Sequence, residues 1–165
     1  MLTEFLQVRQ AIRIGVLIPV TDAIVIGVFE GGEPTRSGIV QMADEAVGGE
    51  IRTLLDLGDF EGKHKQTSIL YTMGAIIAPR IALVGMGKSE EFNPEKAREA
   101  SGEIAQQLRN LGVKTFVIPT PSESPPEMIQ AAVEGSLLAL YQFNPHRTEG
   151  LDEIEELECI TFLAP

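Results

Sequence analysis

The chain is poor in the residues that mark secreted, metal-binding and nucleophilic proteins. Its 165 residues include one cysteine, two histidines and no tryptophan. Because Cys159 has no second cysteine in the sequence to pair with, an internal disulfide is excluded. No basic region followed by a long apolar stretch opens the sequence, so we expect no cleaved signal peptide. Together these features predict a cytoplasmic protein.

Basic residues and long apolar runs are also scarce. Thirteen Lys and Arg oppose 24 Asp and Glu, which makes the formal net charge -11 at pH 7. Nucleic acids and anionic lipid surfaces are bound through Lys and Arg, so we expect neither as a partner. The basic cluster Lys63-His64-Lys65 is interpreted as a solvated turn. The apolar stretches, such as Ile14–Val20 and Ala23–Phe29, are far shorter than the ~20 residues of a membrane-spanning helix.

The composition that remains is typical of one folded domain of the α/β class. Apolar residues make up 44% of the chain and charged residues 22%. Short Val- and Ile-rich runs alternate with amphipathic segments, and several runs are apolar on both faces. We therefore predict a three-layer sandwich, with helices on both faces of a mixed, mostly parallel sheet. The predicted strands are Ile12–Ile18, Ala23–Phe29, Thr67–Met73, Arg80–Val84 and Lys114–Ile118, with Ile160–Leu163 as one more at the sheet edge.

Three helical regions are predicted between these strands. Apolar positions from Ile39 to Leu55 recur at helical spacing but are interrupted by Gly48-Gly49, which predicts a kink or two short helices. A second helix is predicted to begin after Asn93 as its N-cap, and Gly112 ends it. A third runs from Glu127 to about Tyr141. The buried stripe of the second helix is predicted to comprise Ala97, Ala100, Ile104, Ala105, Leu108 and Leu111.

Motifs for phosphate binding and nucleophilic catalysis are incomplete. The run Gly85–Ser89 (GMGKS) resembles the end of a phosphate-binding loop, but that motif requires a glycine at position 82. Ala82 stands there, inside a predicted strand, so we interpret the glycines as a tight strand exit. No G-x-S-x-G elbow is present, and Cys159 is predicted to be half-buried and apolar in role.

Metal ligands are not grouped in the sequence either. His64 and His146 lie in unrelated predicted loops, with no HExxH or CxxC nearby. The acidic stretch from Glu149 to Glu158 is interpreted as a solvated linker rather than a carboxylate metal site. We therefore predict no catalytic, cofactor-binding or metal-binding residues in this chain.

Segments spread along the chain resemble a known family. Their order and spacing are similar to those of the N-terminal domain of the leucyl (cytosol) aminopeptidase family, over nearly the whole chain. The resemblance implies a macrodomain-like sandwich for residues 1–148, and a linker with a possible edge strand for residues 149–165. The segments are Asp22–Gly32 (DAIVIGVFEGG), Leu57–Leu70 (LGDFEGKHKQTSIL), Arg80–Lys88 (RIALVGMGK) and Ala131–Arg147 (AAVEGSLLALYQFNPHR).

The resemblance also implies a catalytic partner. In this family a separate C-terminal domain binds two divalent metal ions, Zn or Mn, and removes N-terminal amino acids from peptides. The family's signature NTDAEGR has no counterpart here, so no catalytic or metal-binding residue carries over. Intact members are hexamers, so the implied partners are the chain's own catalytic domain and sister subunits, with peptides as the whole enzyme's substrate. The chain is then expected to be a truncated form or a free-standing relative, acting in assembly and in access to the active site.

A second hypothesis follows from the likeness to macrodomains. Such a module would bind ADP-ribose or a related nucleotide through glycine-rich turns at the carboxyl edge of the sheet. The candidate residues are Gly48, Gly49 and the Gly85–Gly87 turn. Macrodomains that bind ADP-ribose carry an Asn-rich segment after the strand equivalent to Ala23–Phe29, whereas this chain has EGGEPTRSG. A purely structural interaction domain is a third alternative.

Overall fold

The computed structural model describes residues 20–31, 38–121, 124–140 and 157–163. The predicted strand Ile12–Ile18 and most of the predicted linker lie outside these ranges. Within them, the strands are β1 (Ala23–Phe29), β2 (Thr67–Tyr71), β3 (Arg80–Gly87), β4 (Thr115–Pro119) and β5 (Cys159–Leu163), and the helices are α1 (Gly38–Ala46), α2 (Glu50–Leu57), α3 (Pro94–Asn110) and α4 (Pro126–Leu140).

The strands form one sheet in the order β2-β3-β1-β4-β5. Only β2 is antiparallel to its neighbour, and the other pairings are parallel. β1 occupies the centre because Val and Ile on both of its faces require cover on both sides. β5 pairs along its whole length with β4, as the predicted edge strand should. The prediction of a mixed, mostly parallel sheet is confirmed.

Two cores lie on opposite faces of the sheet. On one face, Val25 of β1 packs with Ile104 and Leu108 of α3. On the other, Ile26 packs with residues of α1 and α2, including the fully buried Ile51. Because alternate residues of a strand point to opposite faces, a single apolar strand serves both cores. The predicted three-layer sandwich is therefore confirmed.

The first predicted helical region is two helices. Gly48 and Gly49 have φ angles of 74° and 85°, a left-handed conformation that ends α1 before α2 begins. The buried carboxylate of Asp44 in α1 accepts a hydrogen bond from the Arg52 N–H near the start of α2, at 3.0 Å. This contact satisfies one of the N–H groups that a helix start leaves unpaired.

Helix α3 begins where the sequence predicts it. The Asn93 side chain accepts a hydrogen bond from the Lys96 N–H at 3.0 Å, and Pro94 is the first helical residue. The assignment of Leu111 to the buried stripe is wrong, since its side chain is 44% exposed. The helix ends at Asn110, and Leu111 adopts φ -86° and ψ 3°, which removes it from the buried face.

Two further expectations are corrected at strand ends. Cys159 is exposed rather than half-buried, because it is the first residue of β5. Strand β2 ends at Tyr71, two residues earlier than predicted. Met73 lies in the turn that follows, with a left-handed φ of 49° and a side chain that is 93% exposed.

Candidate functional site

The interpretation of Gly85 and Gly87 as a tight exit after Val84 is wrong, because β3 continues through Gly87 and both glycines pair with β1. Within the strand they face the chain's own loop rather than a ligand. The Gly85 N–H donates to the Gln66 carbonyl at 2.7 Å, and the Gly87 N–H donates to the Gly62 carbonyl at 3.0 Å. A Cβ on Gly85 would lie 1.8 Å from the Lys63 carbonyl oxygen. The glycines are thus needed because the loop before β2 lies directly on the end of β3. Their N–H groups are not available to a phosphate.

The other predicted glycine pair is also internally bonded. The Gly48 N–H donates to the Glu45 carbonyl at 3.2 Å, and the Gly49 N–H donates to the Asp44 carbonyl at 2.8 Å. Both bonds belong to the end of α1, where they satisfy carbonyl groups that the helix leaves open. Gly48 and Gly49, which the sequence analysis named as candidates for nucleotide binding, therefore form the turn that ends α1.

Lys63 and Lys65 of the basic cluster are exposed, as predicted, whereas His64 between them is half-buried, and each of the three side chains lies near a carboxylate. His64 Nε2 lies 2.7 Å from Glu99 Oε2 of α3. This hydrogen bond, together with His64 and neighbouring Lys charges, lowers the pKa of Glu99. The cluster consequently presents no net positive surface to a nucleic acid. The two lysine pairs are Lys63 with Glu61 and Lys65 with Glu103, the latter at 3.8 Å.

Metal ligands do not converge in the part of the chain that the structure describes. No group of three His, Cys, Asp or Glu side chains there could hold a metal ion. His64 meets a single carboxylate, and Cys159 Sγ lies 3.7 Å from Thr161 Oγ1. His146 lies outside the described residues. The described helices also include none with the length and apolarity to cross a membrane.

A cleft opens at the carboxyl ends of β1 and β4, the edge of the sheet at which the nucleotide hypothesis expected a site. Of the residues named for that hypothesis, Met86 lines the cleft, whereas Gly48 and Gly49 do not. The two strands pair only at Ala23↔Phe116 and Ile24↔Val117, whereas β1 pairs with β3 along its full length. Beyond the second pair, residues of both strands line a space of about 360 Å³. The chain leaves β1 toward β2 but leaves β4 toward β5. The cleft therefore lies at the point where the strand order reverses, a common ligand position in α/β folds.

The wall of this cleft is mainly apolar. Phe29 and Phe92 meet edge to face, with ring centroids 5.2 Å apart. The hydroxyl-bearing residues Ser101, Thr120 and Ser124 are the polar side chains of the described lining. Apolar residues supply the rest of the wall and include Val25, Met86, Ala100, Ile104, Met128 and Ile129.

One sequence feature could have indicated this cleft. Gly27 interrupts the Val- and Ile-rich run of β1, and an isolated glycine in a strand often marks a close approach. Here it lines the cleft, and a Cβ on it would lie 3.1 Å from Met86 Sδ. The divergence of β1 from β4 has no comparable signal, because it depends on segments far apart in the chain.

The N-terminal domain of the cytosol aminopeptidase family matches residues 25–150 of the chain. A probable cytosol aminopeptidase of Geobacter sp. (strain M21) is 33% identical over 146 residues, which are 88% of this chain and 29% of that relative. Another, from Roseiflexus castenholzii, is 34% identical over 149 residues, with 88% of this chain and 28% of the relative covered. The chain thus spans less than a third of the length of these relatives.

Solved structures show the same fold at lower identity. A tomato leucine aminopeptidase variant is 21% identical with a TM-score of 0.70, covering 87% of this chain and 30% of that chain. The macrodomain of Thermus aquaticus DarG is 13% identical with a TM-score of 0.62, covering 90% of this chain and 93% of that one. The macrodomain-like architecture is therefore confirmed. Because the family match covers most of the chain, the protein belongs to the cytosol aminopeptidase family, in the region of its N-terminal domain.

Proposed function

We propose that this chain acts as the non-catalytic N-terminal domain of a metal-dependent aminopeptidase that removes N-terminal amino acids from peptides. The observation that carries the proposal is the family match over residues 25–150. The chain corresponds to 29% of the Geobacter relative, which leaves the larger part of such a protein for a separate catalytic domain. The relatives' name and the absence of a cysteine pair support a cytoplasmic location.

The proposal assigns assembly and catalysis to two different domains. The macrodomain-like unit is assigned to residues 1–148 together with β5, which pairs with β4 in the same sheet, and the catalytic domain is assigned to chain beyond β5. The two divalent ions, Zn or Mn, are assigned to the catalytic domain, as the family resemblance implies. The unit's own role is assembly with sister subunits into a hexamer and control of access to the active site. Exposed Leu137 and Leu138 on α4 support a role in protein contacts.

Hydrolysis of leucine p-nitroanilide tests whether the catalytic activity resides outside this chain. The 165-residue chain and the product of the complete reading frame that encodes it are purified and assayed with added Mn or Zn. We expect activity from the complete product, loss of that activity with a chelator, and no activity from the chain alone. Chelator-sensitive hydrolysis by the chain alone would contradict the proposal, as would a reading frame without NTDAEGR.

Light scattering tests the assembly role. The complete product is compared with a version that lacks residues 1–163, so that the whole sheet, including β5, is removed. We expect a hexamer for the former and a smaller species for the latter, because the N-terminal units supply part of the subunit contacts. An unchanged hexamer after removal of these residues would show that assembly does not depend on them.

A further inference from the structure

We propose that the cleft between β1 and β4 is a binding site for a neutral aromatic small molecule. The inference rests on the geometry and chemistry of the cleft and is independent of the aminopeptidase proposal. Its volume of about 360 Å³ is within the usual range for small-molecule sites, roughly 300–1,000 Å³.

The cleft results from the course of the backbone, because β1 and β4 separate after their second residue pair. The pairing of β1 with β4 ends at Ile24↔Val117, so the space between the strands exists without any side-chain rearrangement. Gly27 maintains it, since a larger side chain at this position would project into the space beside Met86. α3 and α4 close the cleft from one side with small residues, including Ala100 and Ala132. Side chains that would otherwise fill the space are therefore absent from the described wall.

The charge of the wall determines the charge of the ligand. None of the described residues that line the cleft is charged, and the whole chain has a formal net charge of -11. An ionised group buried in such a wall would lose its hydration without gaining a partner. Nucleotides and fatty acids are therefore disfavoured, and a neutral ligand is favoured.

The apolar groups of the wall favour an aromatic ligand. The thioethers of Met86 and Met128 are polarisable groups that contact aromatic rings favourably. Phe29 and Phe92 add an aromatic surface, with their rings arranged edge to face. An apolar cavity of about 150 Å³ is enough to hold benzene. The larger volume here accommodates a ligand of two rings.

Hydroxyl groups give the ligand a preferred orientation. Thr120, which is largely buried, donates its hydroxyl hydrogen to the Leu163 carbonyl at 2.6 Å, so its oxygen can still accept a hydrogen bond. Ser101 and Ser124 are two further hydroxyl-bearing residues of the lining. A ring that carries an N–H group is thus a better fit than a pure hydrocarbon.

Fluorescence titration with 1-N-phenylnaphthylamine tests the proposal. This neutral probe carries two linked ring systems and an N–H group, and the chain's lack of tryptophan removes the main protein background. We expect saturable enhancement of the probe's emission with the wild-type chain. Ala132→Leu, which fills the cleft, should weaken the affinity roughly tenfold or more. The matched control is Ala75→Leu, the same change at an exposed position in the turn between β2 and β3, and it should bind as the wild type does.

Several outcomes would overturn the proposal. These are the absence of saturable enhancement, equal affinity in Ala132→Leu and the wild type, or displacement of the probe by equimolar ADP-ribose, which would make the site one for an anion. Far-ultraviolet circular dichroism establishes that each variant is folded. If Ala132→Leu does not fold, Met128→Ala replaces it, since removal of the thioether from the half-buried Met128 should also weaken binding. Unchanged affinity in that variant would count against the proposal equally.

Discussion

At the scale of single residues, several glycines are required because other parts of the chain occupy the place of their side chain. A Cβ on Gly85 would meet the Lys63 carbonyl oxygen at 1.8 Å, and one on Gly135 would meet the Arg98 carbonyl oxygen at 2.0 Å. Neither contact can be relieved by a rotamer change, since both partners are backbone atoms. Gly38, by contrast, has nothing within 4 Å of the same position.

Gly85→Ala is accordingly expected to destabilise the fold by about 1–3 kcal/mol, the usual cost of overpacking. The loop before β2 would have to leave the end of β3, with loss of its backbone hydrogen bonds. Urea unfolding measures the free energy of unfolding. Gly38→Ala is the matched control and should leave it unchanged or raise it slightly. Equal unfolding midpoints for the Gly85→Ala variant and the wild type would contradict the prediction.

The ion pair between Glu134 and Arg98 predicts a pH dependence of stability. The Arg98 hydrogen bond, followed by one from Gln130, holds the pKa of Glu134 below its ordinary value. A lowered pKa in the folded state stabilises the protein above the unfolded-state pKa, about 4.3 for Glu. That stabilisation is lost as the pH falls through the folded-state pKa.

Glu134→Gln should therefore have a lower Tm than the wild type at pH 7, and the difference should shrink as the pH falls below about 4. Thermal unfolding across this pH range provides the measurement. Glu127→Gln, an exposed position in the same helix, controls for the loss of one surface charge. A difference in Tm that stays constant down to low pH would show that the effect is not due to the ionised carboxylate.

At the scale of elements, α3 is defined by its ends and by its contact with α4. Gly102 of α3 lies so close to α4 that a Cβ on it would be 3.1 Å from the Gly135 carbonyl oxygen. Arg98 adds a charged contact at the same interface, with its Nη2 2.8 Å from Glu134 Oε2. Small residues thus allow the two helices to approach closely, and the Arg98–Glu134 ion pair stabilises their relative position.

The start of α3 gives a test at this scale. Asn93→Ala removes the acceptor for the Lys96 N–H and should lower the free energy of unfolding by about 1 kcal/mol. Asn93→Asp retains the acceptor and should restore most of the loss. Asn110→Ala, at the exposed last residue of the same helix, should have an effect within about 0.5 kcal/mol. Urea unfolding of the three variants provides the measurement. Equal losses in the free energy of unfolding for Asn93→Ala and Asn110→Ala would contradict the assignment of Asn93 as the N-cap.

At the scale of the whole molecule, the acidic surface governs which partners can approach. The formal net charge is -11, and the described basic cluster is paired with Glu61, Glu99 and Glu103. DNA affinity depends on Lys and Arg that release counterions from the phosphates. No such surface remains at this cluster.

We therefore expect no change in the fluorescence anisotropy of a short labelled DNA duplex when this chain is added at low salt. Low salt is the most sensitive condition because it strengthens any electrostatic binding. A basic DNA-binding protein of similar mass serves as the positive control. An increase in anisotropy that disappears on addition of salt would contradict the prediction.

The sequence by itself determined the features that depend on neighbouring residues. The apolar run of β1, the interruption of the first helical region at Gly48-Gly49, and the Asn93-Pro94 start of α3 are local signals, and the structure agrees with each. The α/β class follows from the succession of such elements. Their physical basis is local, because side-chain periodicity and backbone preferences act within one or two turns of chain.

Only the tertiary structure decided how distant segments meet. It placed the 62–66 loop on Gly85 and Gly87, brought His64 to Glu99, and exposed Leu111 and Cys159. It also separated β1 from β4 beyond Ile24↔Val117 and so formed the cleft. These contacts join residues tens of positions apart, and their geometry depends on strand order, twist and the packing of α3 and α4. No local pattern encodes such distances, because they result from the simultaneous packing of all layers.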